Sequence, residues 1–295
     1  MKGENRIEKE EIEEIKITKQ NNFFKCGKYN LELGQRKYVM GILNVTPDSF
    51  SDGGMWFNTD LAVKRALEIQ EQGADILDIG AQSTRPGYIK ISHQDEWERI
   101  EYVFKRLSGK MKIPVSIDTF YPEVAQKALD LGADIINDVT GFNNKEMLDV
   151  ASQSDCGLII MNPGQMKTTT EFFKQRIDAM NEKLIDLNRI CLDPGIGFGK
   201  TYMENLFILA NTEDFRIKDR PLLVGASRKR VIGDSCGNPT FEDRLPGTIS
   251  AHSASMLFGA DIVRVHDVSE AVQSARVIEK IIKAKKSKEN HSLKN

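Results

Sequence analysis

The chain has 295 residues, of which 40% are hydrophobic and 28% charged, the composition of an ordinary soluble globular protein. Its 41 Lys and Arg residues nearly balance 43 Asp and Glu residues, so it lacks the basic excess of a nucleic-acid-binding protein. The four cysteines form no C-x-x-C pair, and neither a signal peptide nor an apolar run of roughly 18 residues for a membrane span is present. We therefore expect a cytoplasmic protein with reduced thiols and no nucleic-acid or membrane partner.

The N-terminal region divides into a tail and a small hairpin. Residues 1–20 alternate Lys and Glu around a few isoleucines, too little apolar surface for a core, and predict a charged, flexible tail. Two strand-like runs between Phe23 and Leu33 flank a Cys-Gly-Lys turn and predict a β-hairpin that closes the bottom of a barrel. We predict a single domain over residues 21–286 and a second flexible tail at 287–295.

The stretch MGILNVTPDSFSDGG, from Met40 to Gly54, joins a buried strand to a long polar loop. Residues 38–45 are apolar and β-prone, whereas Pro47 removes a backbone donor and the Asp, Ser and Gly residues that follow favour turns. Parallel α/β proteins hold their ligands outside the carboxyl ends of strands, so this loop is predicted to belong to a binding site.

The remaining sequence repeats a short apolar run, a polar loop and a stretch with helical period. A Gly-Ala-Asp triplet recurs three times, with Gly at a helix end and Asp before the next strand. With the first strand, the runs predict eight strands separated by helices, the α/β fold of a (β/α)8 TIM barrel; an open doubly wound sheet is the alternative. The later strands are predicted at 76–79, 115–117, 135–137, 158–161, 190–192, 222–224 and 262–265.

Polar side chains follow nearly every predicted strand. Because the strand ends of a barrel meet at one mouth, groups scattered along the chain are predicted to form one site. For any single Asp, a helix cap or a turn is the alternative. The groups are Asn44, Asp78, Asp118, Asn137, Asp138, Asn162, Asp193, the run 227–230, Arg264, His266 and Asp267.

Parts of this mouth suit different ligands. Arg264, His266 and Asn44, with the Gly-rich first loop, suit a polyphosphate and its divalent cation. Carboxylates, amides and a lysine suit a flat heterocycle rich in N–H donors and carbonyl acceptors. This second set is Asp118, Asn137, Asp193 and Lys229, with the Phe198 ring between two glycines as a pocket wall.

A third part is the loop DIGAQSTRPG, residues 78–87. Its Thr84, Arg85 and Pro86 are placed to fold over the mouth and exclude water.

Seven blocks between Met40 and about Val268 resemble the dihydropteroate synthases, a family of the folate pathway. The first block and the pairing of SRK with RVHD are the most specific, whereas a Gly-rich loop alone is weak. The resemblance implies a TIM barrel that joins 6-hydroxymethyl-7,8-dihydropterin diphosphate to 4-aminobenzoate with Mg²⁺, diphosphate leaving before the amine attacks. The blocks are MGILNVTPDSFSDGG, DIGAQSTRPG, PVSIDTF, ADIINDVTGF, LDPGIGFGK, GASRKR and RVHDV.

The resemblance also implies residue roles. Asn44 resembles the magnesium ligand, and Arg264 and His266 resemble the diphosphate anchors. The pterin contacts are resembled by Asp118, Asn137, Asp193 and Lys229. Asp118 is also implied to stabilise the carbocation that remains on the pterin when diphosphate leaves. The aminobenzoate pocket is implied to be walled by Pro47, Phe50, Thr84, Arg85, Pro86, Phe198 and Lys229.

The chain departs from the family pattern at two positions. Gln82 stands where many members have Glu, and Asn162 where many have His, so we assign Asn162 no catalytic role. Arg230 stands where some relatives have Ser, and we hypothesise that it pairs with the aminobenzoate carboxylate; Arg230→Ala should then raise the KM for aminobenzoate alone, and an unchanged KM would refute the pairing.

Two other functions and one assembly question stay open on the sequence. A methyltetrahydrofolate methyltransferase shares a pterin-binding barrel but expels no diphosphate, and a catalytically dead scaffold would bind pterin without turnover. Family members are commonly homodimers. The helices around the last strand carry apolar residues that either form such an interface or pack on the barrel: Met256, Leu257, Phe258, Ile278, Ile281 and Ile282.

Overall fold

The computed structural model of the protein describes residues 23–34, 36–46, 55–82 and 89–292, with the side chains of 55–58 and 288–292 left aside. The tail predicted at 1–20 and the segments 47–54 and 83–88 lie outside the described residues.

Ten strands are described, eight of them in one parallel sheet. In chain order they are β1 Phe23–Cys26, β2 Tyr29–Glu32, β3 Tyr38–Asn44, β4 Ile76–Gly80, β5 Val115–Asp118, β6 Ile135–Asp138, β7 Gly157–Met161, β8 Ile190–Asp193, β9 Leu223–Val224 and β10 Ile262–Val265. The sheet order is β8-β7-β6-β5-β4-β3-β10-β9, and a parallel bridge between Leu192 and Leu222 joins its two ends. The predicted barrel is therefore confirmed, and β1 and β2 form the predicted antiparallel hairpin.

A helix follows every barrel strand, and two follow β9. The helices are α1 Met55–Glu71, α2 His93–Leu107, α3 Pro122–Asp130, α4 Lys145–Ser152, α5 Thr169–Glu182, α6 Tyr202–Ala210, α7 Arg230–Ser235, α8 Leu245–Leu257 and α9 Val268–Ser292. The last helix continues beyond residue 286, where we placed the domain boundary, because 280–292 contains helix-forming Lys, Ala and Glu and neither Gly nor Pro. Among the described residues, no helix has the length and apolarity needed to cross a membrane.

The Gly-Ala-Asp triplets tie helix ends to neighbouring strands. Each glycine has a positive φ, between +94° and +114°, which ends the helix in the left-handed conformation that glycine tolerates. Each aspartate carboxylate then accepts the backbone N–H of a residue at the start of the adjacent barrel strand. The pairs are Asp75 with Val39 at 2.9 Å, Asp134 with Val115 at 3.0 Å and Asp261 with Leu222 at 3.0 Å.

The hairpin fills the bottom of the barrel. Phe24 and Cys26 are fully buried and pack on Met40, Ile135 and other inward-facing residues at the amino ends of the strands. A larger apolar cluster lies between the strands and the helices. The two ends of the barrel therefore differ. Apolar side chains fill the bottom, whereas polar residues at the strand ends surround the top, where a ligand can bind.

Candidate active site

A cavity of about 930 Å³ opens at the carboxyl ends of the barrel strands. Nine residues to which we assigned ligands line it, although they come from six different strands and their loops. These residues are Asn44, Asp118, Asn137, Asp193, Phe198, Lys229, Arg230, Arg264 and His266. Four other predicted strand-end residues do not line it: Asp78, Asp138, Asn162 and Asp267. The remaining predicted residues, Pro47, Phe50, Thr84, Arg85 and Pro86, lie outside the described residues.

Arg264 bridges two carboxylates at the floor of the cavity. Its Nε donates to Asp78 Oδ2 at 2.6 Å and its Nη2 to Asp118 Oδ2 at 2.6 Å, while Asn137 Nδ2 donates to the same Asp78 oxygen at 3.3 Å. Asp78 is fully buried in β4, and its Oδ1 has no hydrogen-bond partner among the described residues. The sequence showed Asp78 as a strand end but gave no sign of its partner, which lies 186 residues along the chain.

Burial governs the charge of Asp118. Desolvation raises the pKa of this carboxyl to about 7 against the lowering effect of Arg264, and the nearby Asp78, Glu96 and Asp138 raise it further. Burial lowers the pKa of Arg264, but Asp78, Asp118 and Asp193 outweigh it and raise that pKa above its ordinary value. The floor is therefore a low-dielectric set of carboxylates held around one permanent cation.

A second cation lies over an aromatic ring on the far wall. Lys229 Nζ donates to the Ile196 carbonyl at 2.7 Å and lies 4.6 Å from the centre of the Phe198 ring. Desolvation lowers the pKa of Lys229 to about 8, with Asp193 opposing the shift. Asp193 accepts the backbone N–H of Gly195 at 2.7 Å, and burial raises its pKa, with Lys229 opposing.

The run 227–230 turns sharply, so that its cations take different directions. Arg228 has a φ of +54°, unusual for a side-chain-bearing residue, and its guanidinium makes a bidentate ion pair with Asp267 at 2.6 and 2.9 Å. This pair fixes the turn from which Lys229 reaches into the cavity. Arg230 lies at the rim, with a side chain 90% exposed and its Nε 3.2 Å from Asp234.

The two histidines near the mouth have distinct environments. Ser227 Oγ accepts the backbone N–H of His266 at 3.2 Å and lies 2.9 Å from Nδ1 of the same residue. The Ser227 hydroxyl keeps its own O–H as a donor, and in the tautomer in which it donates to Nδ1 the imidazole proton lies on Nε2. His252 is buried and accepts the Ala226 N–H at 3.1 Å, and burial lowers its pKa to about 3. His252 is therefore a neutral structural residue.

Asn162 organises a turn and does not line the cavity. Its Nδ2 donates to Thr169 Oγ1 at 2.7 Å and its Oδ1 accepts the Gly164 N–H at 3.0 Å. Both polar atoms of the Asn162 side chain are therefore engaged within the turn. Asp138 is similarly used for a turn, because it accepts the backbone N–H groups of Thr140 and Phe142 at 2.7 and 2.8 Å.

The chain matches a known family over the whole barrel. Residues 40–266 match the family described as pterin binding enzyme. A dihydropteroate synthase of Clostridium beijerinckii is 40% identical over 271 residues, covering 88% of this chain and 99% of the relative. The dihydropteroate synthase of Escherichia coli is 37% identical, covering 85% and 94%.

Solved structures show the same similarity. Dihydropteroate synthase of Xanthomonas albilineans with 4-aminobenzoic acid is 36% identical and superposes with a TM-score of 0.83, covering 89% of this chain and 98% of that one. The Burkholderia cenocepacia enzyme complexed with 7,8-dihydropteroate is 32% identical, with a TM-score of 0.82 and coverage of 90% and 98%.

Proposed function

This chain belongs to the pterin binding enzymes and, among them, to the dihydropteroate synthases, and we propose that the mouth of its barrel carries out the family's reaction. The reaction condenses 6-hydroxymethyl-7,8-dihydropterin diphosphate with 4-aminobenzoate and releases 7,8-dihydropteroate and diphosphate. The observation that carries the assignment of the site is the convergence of nine predicted side chains on one cavity.

Four residues of the cavity are proposed to hold the pterin. Asp118 and Asp193 accept N–H groups of the ring, while Asn137 and Lys229 supply donors and an acceptor to its remaining edge. The ring lies against Phe198 and the cation of Lys229. The support is geometric, because the two carboxylates and the lysine are buried at the floor and wall of the same cavity.

The diphosphate is proposed to bind nearer the opening. Arg264 is already held by Asp78 and Asp118 through Nε and Nη2, and neither bond uses Nη1, which is left for a phosphate oxygen. His266 supplies its Nε2–H. These cations neutralise charge on the leaving group as the C–O bond breaks.

Mg²⁺ fits the donor chemistry beside Asn44. The Asn44 amide is half-buried at the end of β3 and lines the cavity, and an amide oxygen is a hard ligand. No group of three or more His, Cys, Asp or Glu side chains in the described ranges could hold a metal alone. We therefore propose that Asn44 binds the ion together with diphosphate oxygens; when bound, the ion neutralises the leaving group.

The proposed reaction proceeds by departure before attack. The C–O bond breaks with its electron pair going to diphosphate, which leaves a cation on the exocyclic carbon of the pterin. Asp118 in its ionised form stabilises that charge at the floor of the cavity, and the aminobenzoate nitrogen then forms the C–N bond and loses a proton.

The second substrate is proposed to enter against Phe198 and Lys229. Arg230 lies at the exposed rim, and we propose that it pairs with the carboxylate of this substrate. Pro47, Phe50, Thr84, Arg85 and Pro86 remain predicted walls of this pocket.

A turnover assay tests the function. Purified protein is supplied with dihydropterin diphosphate, 4-aminobenzoate and Mg²⁺, and dihydropteroate and diphosphate are measured. We expect equimolar products, loss of turnover on chelation of Mg²⁺, and a loss of about 100-fold or more in kcat for Asp118→Asn. Pterin binding without any product would instead support the scaffold alternative. In the part of the cavity that the structure describes, no feature favours the methyltransferase.

We also propose a cytoplasmic homodimer. Cys26, Cys156 and Cys191 are buried and free, as suits a reducing compartment, and recovery of the protein in a non-cytoplasmic fraction would refute that location. The dimer is supported by exposed apolar side chains on three adjacent helices, α6, α8 and α9. Met256 and Ile278, which we named as interface candidates, are buried and pack on the barrel, whereas Leu257, Phe258 and Ile281 are exposed.

A further inference from the structure

Lys200 uses its whole ammonium group on backbone carbonyls. Its Nζ donates to the carbonyl oxygens of Asn162 at 3.0 Å, Gly164 at 2.7 Å and Phe198 at 3.0 Å. A lysine has three N–H donors, so each hydrogen serves one carbonyl. The residue lines the cavity, but it would have to give up one of these bonds to contact a substrate.

The three carbonyls belong to two loops that lie unusually close together. One loop follows β7 and contains Asn162 and Gly164; the other follows β8 and contains Phe198. A Cβ on Gly195 would lie 2.2 Å from the Asn162 oxygen, and one on Gly199 would lie 2.6 Å from the Pro163 oxygen. Glycine therefore permits the close approach, and the ammonium offsets the repulsion between carbonyl dipoles that point toward it.

Hydrogen bonds of Asn162 hold the loop after β7 in the conformation that contacts Lys200. The Asn162 side chain holds the turn through Thr169 and Gly164, and the Asn162 backbone N–H donates to the Asp193 carbonyl at 2.9 Å. The turn is thus attached to the strand that carries a proposed pterin contact. No other described side chain shares the three carbonyls with Lys200.

The second loop carries the wall of the pocket. Phe198 contributes its ring beneath Lys229, and Ile196 contributes the carbonyl that holds the Lys229 ammonium. Whatever fixes residues 195–200 therefore fixes the ring and the lysine position together. Burial lowers the pKa of Lys200 to about 8, with Asp193 and Glu204 opposing, so the ammonium form predominates at pH 7.

We propose that Lys200 is a positioning residue, which locks the loops after β7 and β8 together and so holds Phe198 in place for aminobenzoate. The inference rests on the proposed function, because aminobenzoate is taken to be the ligand of this wall. Lys200 touches neither substrate in this account. Its loss should therefore weaken aminobenzoate binding more than pterin binding, because the pterin keeps its contacts with Asp118, Asn137 and Asp193 when Phe198 and Lys229 shift.

The test compares Lys200→Met, which keeps the apolar stem, with Lys200→Arg, which keeps the charge. We expect Lys200→Met to raise the KM for 4-aminobenzoate about tenfold, the scale of losing a charged hydrogen bond. The dissociation constant of dihydropterin diphosphate, measured by calorimetry without aminobenzoate, should stay within about twofold, and Lys200→Arg should recover part of the loss. Lys174→Met, on the exposed face of α5, is the matched control and should change neither value.

Two results would overturn the inference. An unchanged KM for aminobenzoate in Lys200→Met would show that the lock is dispensable, and a pterin dissociation constant raised as much as that KM would indicate a direct pterin contact. If Lys200→Met does not fold, Asn162→Ala loosens the same turn from outside the cavity and should raise the aminobenzoate KM about threefold, the scale of a neutral hydrogen bond. An unchanged aminobenzoate KM in the folded Asn162→Ala variant would also overturn the inference. Absence of product from the unmodified protein would refute the proposed function itself, a distinct outcome.

Discussion

Burial sets the charge of the individual side chains at the mouth of the barrel. Asp118 is an acid whose pKa is raised to about 7 and Lys229 a base whose pKa is lowered to about 8, both chiefly by desolvation. Each group therefore titrates close to neutral pH, although ordinary Asp and Lys do not. Arg264, by contrast, keeps its charge throughout and holds Asp118 in place.

The rate should follow these two pKa values. Asp118 must be ionised to stabilise the pterin cation, so kcat/KM for the pterin substrate should rise with pH through about 7. Lys229 must be protonated, so the same quantity should fall as pH rises through about 8. A pH profile at saturating aminobenzoate measures both limbs.

Substitutions of Asp118 and Lys229 should affect the acidic and the basic limb of the pH profile separately. Asp118→Asn should remove the acidic limb from the residual activity, and Lys229→Arg should move the basic limb to higher pH because the guanidinium does not titrate in this range. A flat profile from pH 5 to 9 in the unmodified protein would contradict the assignment of these groups.

Single elements of the fold have separate tasks. The barrel strands bring polar ends to the top, the loops after β8 and β9 line the cavity, and the hairpin fills the bottom. The loop after β7 supports the loop after β8 through Lys200. The hairpin fits closely, since a Cβ added at Gly157 would lie 2.8 Å from both Cys26 Cβ and the Phe24 ring. Gly157 needs no unusual backbone angle, so space alone demands glycine there.

Gly157→Ala should therefore cost stability without changing the chemistry. The added methyl must displace the hairpin or β7, and overpacking of this kind costs roughly 1–3 kcal/mol in the free energy of unfolding. Thermal denaturation should show a lowered Tm. The KM for aminobenzoate should stay unchanged, because the site lies at the opposite end of the barrel; a raised KM with a normal Tm would contradict this separation of tasks.

The whole molecule shows which features the sequence predicts and which it does not. Strand ends, the hairpin and the common mouth follow from local patterns, because a barrel brings all its strand ends together. The pairing of Asp78 with Arg264 joins residues far apart in the chain, and the partners of Lys200 are backbone carbonyls that leave no trace in residue types. Helical periodicity likewise did not separate buried Met256 from exposed Leu257 beside it.

The exposed apolar side chains on α6, α8 and α9 predict a homodimer. Phe207 on α6 is 47% exposed, Phe258 after α8 50% and Val277 on α9 59%. Two-fold pairing of this surface would bury it in a homodimer. Light scattering should give twice the 33.3 kDa chain mass, and Phe207→Glu with Phe258→Glu should give monomers. A monomeric unmodified protein, or a dimeric double variant, would contradict this interface.

The central claim is that the carboxylates of the floor stabilise a pterin cation after diphosphate leaves. Positional isotope exchange tests it most directly, with ¹⁸O placed in the C–O–P bridge of the pterin substrate and followed by phosphorus NMR with Mg²⁺ but without aminobenzoate. The account predicts that ¹⁸O moves into non-bridging positions with the unmodified protein and stays in the bridge with Asp118→Asn. Retention of the label by a protein that forms dihydropteroate once aminobenzoate is added would contradict departure before attack.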